Sequence, residues 1–345
     1  MTASLHVIAL GGTIASTASQ SGGVAPQVGA EAIAAAAHLE SLPDGAPHVE
    51  FTQLAQVSSG SITLGILCDV VHEARRAASR RAHGIVLTQG TDTLEDSAFV
   101  LSLLNDSGIP IVLTGAMRNP TLPGADGPAN VRTAAIAALD PRLRALPAVV
   151  AFNDEIHDPS TVTKAHASSV AAFTSGPAAG PLGWVSEDRL LLPHVPAAVP
   201  GGFALPREAQ GTTNPEAPRT SAEHPAFAKV ALVEAGLDDS LDLITALPDL
   251  GYAGAVVSGV GGGHVPEWVI DRVADLAHHM PVVLASRTGS GTTLEHTYGY
   301  RGGEIELIGH GLTPSGRLHA RKARLLLTLA LTFGTPVDEV FRFYR

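Results

Sequence analysis

Apolar residues along this chain gather into short unbroken runs, separated by longer stretches with helical spacing. The runs His6–Leu10, Phe51–Val57, Gly84–Thr88, Pro110–Thr114 and Ala148–Phe152 read as buried strands. Between them, Glu31–Leu39, Leu64–Ala82, Leu94–Asn105 and Pro128–Ala138 repeat apolar residues with the period of a helix. This alternation predicts a mostly parallel sheet with helices on both faces. From about Pro193 to Glu223 the pattern stops, and Pro, Gly, Ala and polar residues dominate. Structureless stretches of that length are uncommon within one compact domain, so the segment reads as a linker. Alternation resumes with Val230–Glu234, Gly254–Val257 and Pro281–Ala285 and closes on a long helix from about His319 to Thr332. The expected organisation is an N-terminal α/β domain over residues 1–192, a Pro/Gly-rich linker over 193–227, and a smaller C-terminal α/β domain over 228–345.

Chemistry-bearing residues fall where strands end. The run Ile85–Thr88 gives way to Gln-Gly and then to Thr91, Asp92 and Thr93, just before the helical pattern Leu94, Ala98, Leu101. Open parallel sheets bind ligands at such strand ends, and backbone N–H groups at a helix start can hold a carboxylate. Thr and Asp are also favoured helix caps, so capping is the competing reading. The first run has a similar sequel: Gly11-Gly12-Thr13 follows His6–Leu10, and two glycines allow a tight turn and a close backbone approach. Two threonines, each after a strand, make a constellation that unrelated caps do not predict. Asn153-Asp154 follows the fifth run, and Ser160–Lys164 alternates as a hairpin arm would. A lone lysine on an arm is usually solvated; its place after a strand end favours a functional reading.

The segments Ile8–Ser16 (IALGGTIAS) and Thr88–Asp96 (TQGTDTLED) resemble the two signatures of the bacterial-type L-asparaginase family. Leu113–Arg118, Ala125–Asn130, Asn153–Lys164, Val257–Gly263 and Lys322–Leu331 are similar to further blocks of that family, in the same order, so the resemblance covers nearly the whole chain. It implies hydrolysis of L-asparagine to L-aspartate and ammonia through a threonyl acyl-enzyme, without cofactor or metal. L-Glutamine is an implied secondary substrate. By resemblance, Thr13 attacks the side-chain amide, and Thr91, Asp92 and Lys164 form a second catalytic group. Asp92 also binds the substrate α-ammonium, and Ser59 meets the α-carboxylate with Gly60 beside it. Backbone N–H groups near Thr91 and Ala116 face the oxyanion. A threonine hydroxyl is a weak nucleophile, so an amine and a carboxylate beside it have a clear use. The family also implies a homodimer or homotetramer whose active sites are completed across subunits.

Two departures stand out. Many family members activate the nucleophile with a tyrosine in the loop after the first signature, but Thr17–Val28 contains none; the tyrosines are Tyr252, Tyr298, Tyr300 and Tyr344. Lys164, Ser21 and Tyr298 are the candidate substitutes. Gly60 stands where some members carry a polar side chain toward the α-ammonium. His264, after Gly261–Gly263, reads either as a contact to the bound amino acid or as a plain interface histidine.

Composition narrows the alternatives. A chain of 345 residues with 45% hydrophobic but only 4% aromatic content must build its core from Ala, Val, Leu and Ile. That suits parallel sheets covered by helices. Lys+Arg 22 against Asp+Glu 33 gives a net charge of −11 and no basic patch, which argues against a nucleic-acid partner. Arg75, Arg76, Arg80 and Arg81 read as a solvated helix face. The one cysteine, Cys68, lies among apolar residues and reads as a buried structural thiol. No apolar run approaches the ~20 residues that span a membrane. The first strand starts near Met1 without a leader pattern, so the chain reads as cytoplasmic, or as the mature form of an exported one.

Rival classes fit less well. Gly259–His264 lacks the third spaced glycine of a dinucleotide fingerprint, and neither HExxH nor GxSxG occurs. Another amidase of the same family is the near alternative. An amino-acid-binding homologue that has lost turnover is the alternative of another class.

Overall fold

The computed structural model describes residues 2–12, 16–18, 24–26, 35–196, 202–206 and 224–345. The chain divides into two compact units, Met1–His224 and Pro225–Arg345.

In the first unit, β1 (Ser4–Gly11) lies one strand in from an edge of the main sheet; a short β2 (Ser16–Ala18) and β3 (Val24–Pro26) pair separately. Then come β4 (His48–Val57), β5 (Gly84–Thr88), β6 (Ile111–Thr114), β7 (Ala148–Phe152) and β8 (Glu155–His157). A small hairpin, β9 (Thr163–Lys164) with β10 (Phe173–Thr174), precedes β11 (Gly183–Ser186) and β12 (Arg189–Leu191). The main sheet has eight strands in the order β12-β11-β8-β7-β6-β5-β1-β4. Pairings from β4 through β7 are all parallel, whereas β8, β11 and β12 add an antiparallel edge. The mostly parallel sheet is thus as the apolar runs predict, and the edge is an addition. Its two turns use Asn153-Asp154 and Glu187-Asp188, all four residues at positive φ. Consecutive left-handed residues are the signature of a two-residue turn whose twist matches the strands.

Helices cover both faces. On one, α3 (Gly127–Leu139) packs Val131, Ala134, Ala135 and Ala138 onto Leu5, Val7, Val86, Val112 and Val149. The opposite side chains of the strands, including Ile8, Leu10, Ile85 and Leu87, are also fully buried. That is the two-sided burial expected of parallel strands. Helices α1 (Leu64–Ser79) and α2 (Leu94–Leu104) pack against each other. Thr63 caps α1 by accepting from the Ile66 N–H at 3.2 Å. Cys68 is buried in α1, and burial pushes its thiol up to about 11.

The arginines of α1 are not a simple solvated face. Arg75 forks onto Asp106 at 2.7 and 2.8 Å, and Arg76 and Arg80 converge on the buried Glu73 at 2.8 and 3.2 Å. Arg75 also donates to the carbonyls of Leu205 and Pro206, and Phe203 N–H donates to Leu103 O. Phe203 and Leu205 are buried, so residues 202–206 of the Pro/Gly-rich stretch are held on the first unit. Of the expected helix Glu31–Leu39, residues 31–34 lie outside the described set; Ala35 and Ala36 are helical and Leu39–Ser41 form a 3₁₀ turn.

The second unit holds a parallel sheet of β13 (Val230–Glu234), β14 (Gly254–Gly259), β15 (Val282–Ser286) and β16 (Thr313–Pro314), in that order. Helices α5 (Ile270–His279), α6 (Glu304–Gly309), α7 (Ala320–Phe333) and α8 (Val337–Phe341) follow α4 (Gly176–Ala179) of the first unit in chain order. Ile270, Val273 and Leu276 of α5 pack onto Ala255, Val257 and Leu284. Gly334, in the left-handed region, ends α7. Among the described residues no helix is long and apolar enough to cross a membrane.

Candidate active site

The parallel strands β4, β1, β5 and β6 all end at one edge of the main sheet, and the loops that leave them meet there. Gly12, after β1, has φ +90°, and a Cβ built on it would lie 2.1 Å from Gly90 N, after β5. Gly90 in turn lies against Ser59, whose Cβ would be 2.8 Å from an added Cβ. Gly12 and Gly90 therefore let two loops touch backbone to backbone and the Ser59 side chain close against the second, a closeness no side chain at either glycine would permit. Thr13 itself lies outside the described residues, as do Ser21 and most of the tyrosine-free loop Thr17–Val28.

Thr91, Asp92 and Thr93 form a 3₁₀ turn that runs into α2. Neither Gly90 nor Thr93, the residues at the cap positions, makes a side-chain cap hydrogen bond. Asp92 faces away from that role. Its Oδ1 accepts from Lys164 Nζ at 2.6 Å, and its Oδ2 accepts from Ser59 Oγ at 3.1 Å. Lys164 Nζ also donates to Thr91 Oγ1 at 2.9 Å. Three of the residues singled out from the sequence, Thr91, Asp92 and Lys164, thus share one hydrogen-bonded group. The lysine side chain is only 11% exposed, while that of Asp92 is 74% exposed. The hydrogen bond from Lys164 holds the Asp92 carboxyl below its ordinary range, against a smaller opposing effect of partial burial.

Ser59 is buried in a 3₁₀ turn, Ser59–Ser61, after β4. Its hydroxyl also accepts from Asp92 N at 3.3 Å, and its carbonyl accepts from Thr93 Oγ1 at 2.8 Å. Gly60 is exposed with open space around it. Ala116 is buried in the loop after β6.

Several residues that hold this arrangement carry no special signal in the sequence. Thr93 locks the Ser59 turn. Glu95, buried in the first turn of α2, accepts from the main-chain N–H of Lys164 at 3.2 Å. Asp126 accepts from the N–H groups of Met117 and Arg118, both at 2.9 Å, and Asn130 donates to Gly115 O at 3.0 Å. Both lie in the Ala125–Asn130 block, where an Asp placed four before an Asn at a helix start is the one available clue. Asn130 also accepts from Asn153 N, so one side chain ties the loops after β6 and β7.

Lys164 reaches the site on the β9–β10 hairpin, whose base is fixed by buried groups. His157 Nδ1 lies 3.0 Å from Ser175 Oγ, and Phe173 packs on Phe152 with ring centres 4.7 Å apart. Burial pushes His157 down to about 4. In the second unit, His264 is committed to internal partners. Its Nδ1 lies 2.7 Å from Tyr300 Oη and its Nε2 lies 3.0 Å from the fully buried Glu304. Tyr298 packs edge-on against the same ring. Among the described residues no group of three or more His, Cys, Asp and Glu side chains converges as a metal site would.

A hydroxyl, an amine and a carboxylate held beside a glycine-lined turn can move protons at a carbonyl centre and hold an α-amino acid by its charges. Known proteins point the same way. Residues 4–196 match the family model described as Asparaginase, N-terminal, and residues 229–343 match Glutaminase/Asparaginase C-terminal domain. A probable L-asparaginase of Deinococcus radiodurans is 35% identical, over 100% of this chain and 98% of its own length. L-asparaginase 2 of Escherichia coli is 31% identical, over 95% of this chain and 88% of its own. The crystal structure of a probable cytoplasmic L-asparaginase from Campylobacter jejuni superposes with a TM-score of 0.82 at 25% identity, covering 99% of each chain. With both halves matched in order and relatives aligned along nearly its whole length, the chain belongs to the asparaginase family.

Proposed function

We propose that this protein is an L-asparaginase that hydrolyses L-asparagine to L-aspartate and ammonia, with L-glutamine as a secondary substrate. The observation that carries the reading is the amine of Lys164 bridging Thr91 Oγ1 and Asp92 Oδ1 at 2.9 and 2.6 Å. The names of the relatives support the same substrate. In this reading Thr13 attacks the side-chain amide carbon, ammonia leaves, and a threonyl ester remains. Water then attacks the ester and releases aspartate. Thr91, Asp92 and Lys164 handle the proton. The proton lost by the Thr13 hydroxyl ends on the leaving nitrogen, which departs as ammonia; Thr91 relays it, and Lys164, donating to the Thr91 oxygen, stabilises negative charge that develops there during the relay. The exposed carboxylate of Asp92 receives the substrate α-ammonium, and Ser59 and Gly60 lie beside the α-carboxylate. Backbone N–H groups near Thr91 and Ala116 hold the oxyanion, a contribution of about 3–4 kcal/mol per donor. No cofactor is needed for these steps.

A homodimer or homotetramer belongs to the same proposal. Leu237, Leu243 and Trp268 of the second unit, 99%, 82% and 55% exposed, support association through that unit. Cytoplasmic location is proposed alongside; the relatives themselves divide, since one from Haemophilus influenzae is described as periplasmic. The test is ammonia release from both amides by wild type, Thr13→Ala, Thr91→Ala and Lys164→Met. Turnover of asparagine that drops by orders of magnitude in each variant is expected. Wild type that binds aspartate but releases no ammonia from either amide would make the chain a binding homologue.

A further inference from the structure

We propose that Glu95 is a positioning residue: its buried carboxylate holds the main chain of Lys164, and thereby sets the amine against Thr91 and Asp92. The inference rests on the role given to Lys164 above. The hairpin that carries Lys164 is short, with two residues in each strand and one further main-chain bond, Ala165 N to Ala172 O at 2.8 Å. Two-stranded hairpins are marginal by themselves. Its anchors at His157–Ser175 and Phe152–Phe173 fix the base of the arm. Glu95 acts at the lysine itself, where Oε2 accepts from Lys164 N at 3.2 Å.

Glu95 stands four residues after Thr91, in the first turn of α2. The element that presents Thr91 and Asp92 therefore also carries the acceptor for the lysine's backbone. The Nζ–Oγ1 distance is referred to one rigid frame rather than to two loops. Only 4% of Glu95 is exposed. Burying a carboxylate is expensive unless it is hydrogen-bonded, and a charged acceptor makes a bond roughly twice as strong as a neutral one.

The test compares wild type, Glu95→Asp and Glu95→Gln with Lys164→Met, all as the full chain. Glu95→Asp withdraws the acceptor by one methylene. It should lower kcat on L-asparagine roughly ten- to a hundredfold, since misplacement by ~1 Å has that effect. KM, and Kd for L-aspartate, should stay within about twofold, because the loss falls on the chemical step. Glu95→Gln keeps an acceptor oxygen at the same reach and should recover most of the rate. Adding Glu95→Asp to Lys164→Met should lower the residual rate no further. An unchanged kcat in Glu95→Asp, or losses that multiply in full with Lys164→Met, overturns the proposal. If Glu95→Asp does not fold, hydrogen exchange at the Lys164 amide in Glu95→Met, which removes the acceptor and keeps the bulk, decides. Faster exchange supports the tether, and exchange equal to wild type overturns it. A Lys164→Met enzyme with wild-type kcat sinks the proposed role of Lys164, whereas a disabled Lys164→Met beside an unimpaired Glu95→Asp sinks the positioning role alone.

Discussion

His157 offers a direct measurement of how the arm behind Lys164 is held. It is 1% exposed, and burial takes its pKa from 6.5 to about 4. Neutral His157 is therefore part of the folded state, while the unfolded chain takes up a proton at about 6.5. Stability from this group is complete above the unfolded value and is lost as pH falls through the folded value. The gap between 6.5 and about 4 corresponds to about 3 kcal/mol once both states are protonated. At pH 5, with the unfolded chain largely charged and the folded one still neutral, linkage gives about 2 kcal/mol. Glu155, 3.4 Å from Nε2 and itself raised by burial, loses charge as pH falls and gives the imidazolium little relief. His157→Gln keeps a polar group toward Ser175 and removes the titration. Urea unfolding of both proteins from pH 8 to pH 5 should show the wild type losing about 2 kcal/mol more than the variant over that range. Parallel stability curves would refute the argument, because every other titrating group is shared.

Two further perturbations follow from the loops at the strand ends. Gly12→Ala places a Cβ 2.1 Å from Gly90 N at a φ of +90°, so it should lower the thermal midpoint sharply or prevent folding. Gly60→Ala, with nothing within 4 Å, should change stability by no more than about 0.5 kcal/mol, and equal midpoints for the two variants would contradict the packing account. Asp126→Ala strands the N–H groups of Met117 and Arg118 and should cost about 1–3 kcal/mol in denaturant unfolding; an unchanged midpoint would show that water replaces the carboxylate.

The parallel core was legible because burial on both faces leaves apolar runs without alternation. Gly84–Thr88, Ala148–Phe152 and Val230–Glu234 are strands over those very residues. The antiparallel edge was not. Its strands are three or four residues long, and its turns use Asn, Asp and Glu at positive φ rather than the glycine that usually marks a hairpin. The ion pairs of α1 are only partly local for a related reason: Glu73 lies beside Arg76 and Arg80, but Glu50 and Asp106, which also answer these arginines, are about 30 positions away. At the site, Thr91 and Asp92 announced themselves by following a strand. Lys164, 73 residues later, was visible chiefly through its resemblance to a family block. Glu95 and Thr93 looked like ordinary residues of a helix start, since nothing local reveals that their partners are Lys164 and Ser59. Phe203 and Leu205 sat in a stretch whose Pro and Gly content outweighed two apolar side chains.

The same separation of 73 residues sets an order of events during synthesis. At about 5–20 residues per second, the ribosome makes the Thr91–Asp92 turn roughly 4–15 s before Lys164. The rest of the hairpin, through Ser175, must emerge before its base can close. During that interval the Asp92 carboxylate has Ser59 but not the lysine as a partner, and the Thr91 hydroxyl lacks its amine. The hydrogen-bonded group proposed to act in catalysis is thus assembled late, after most of the first unit's sheet already exists outside the ribosome.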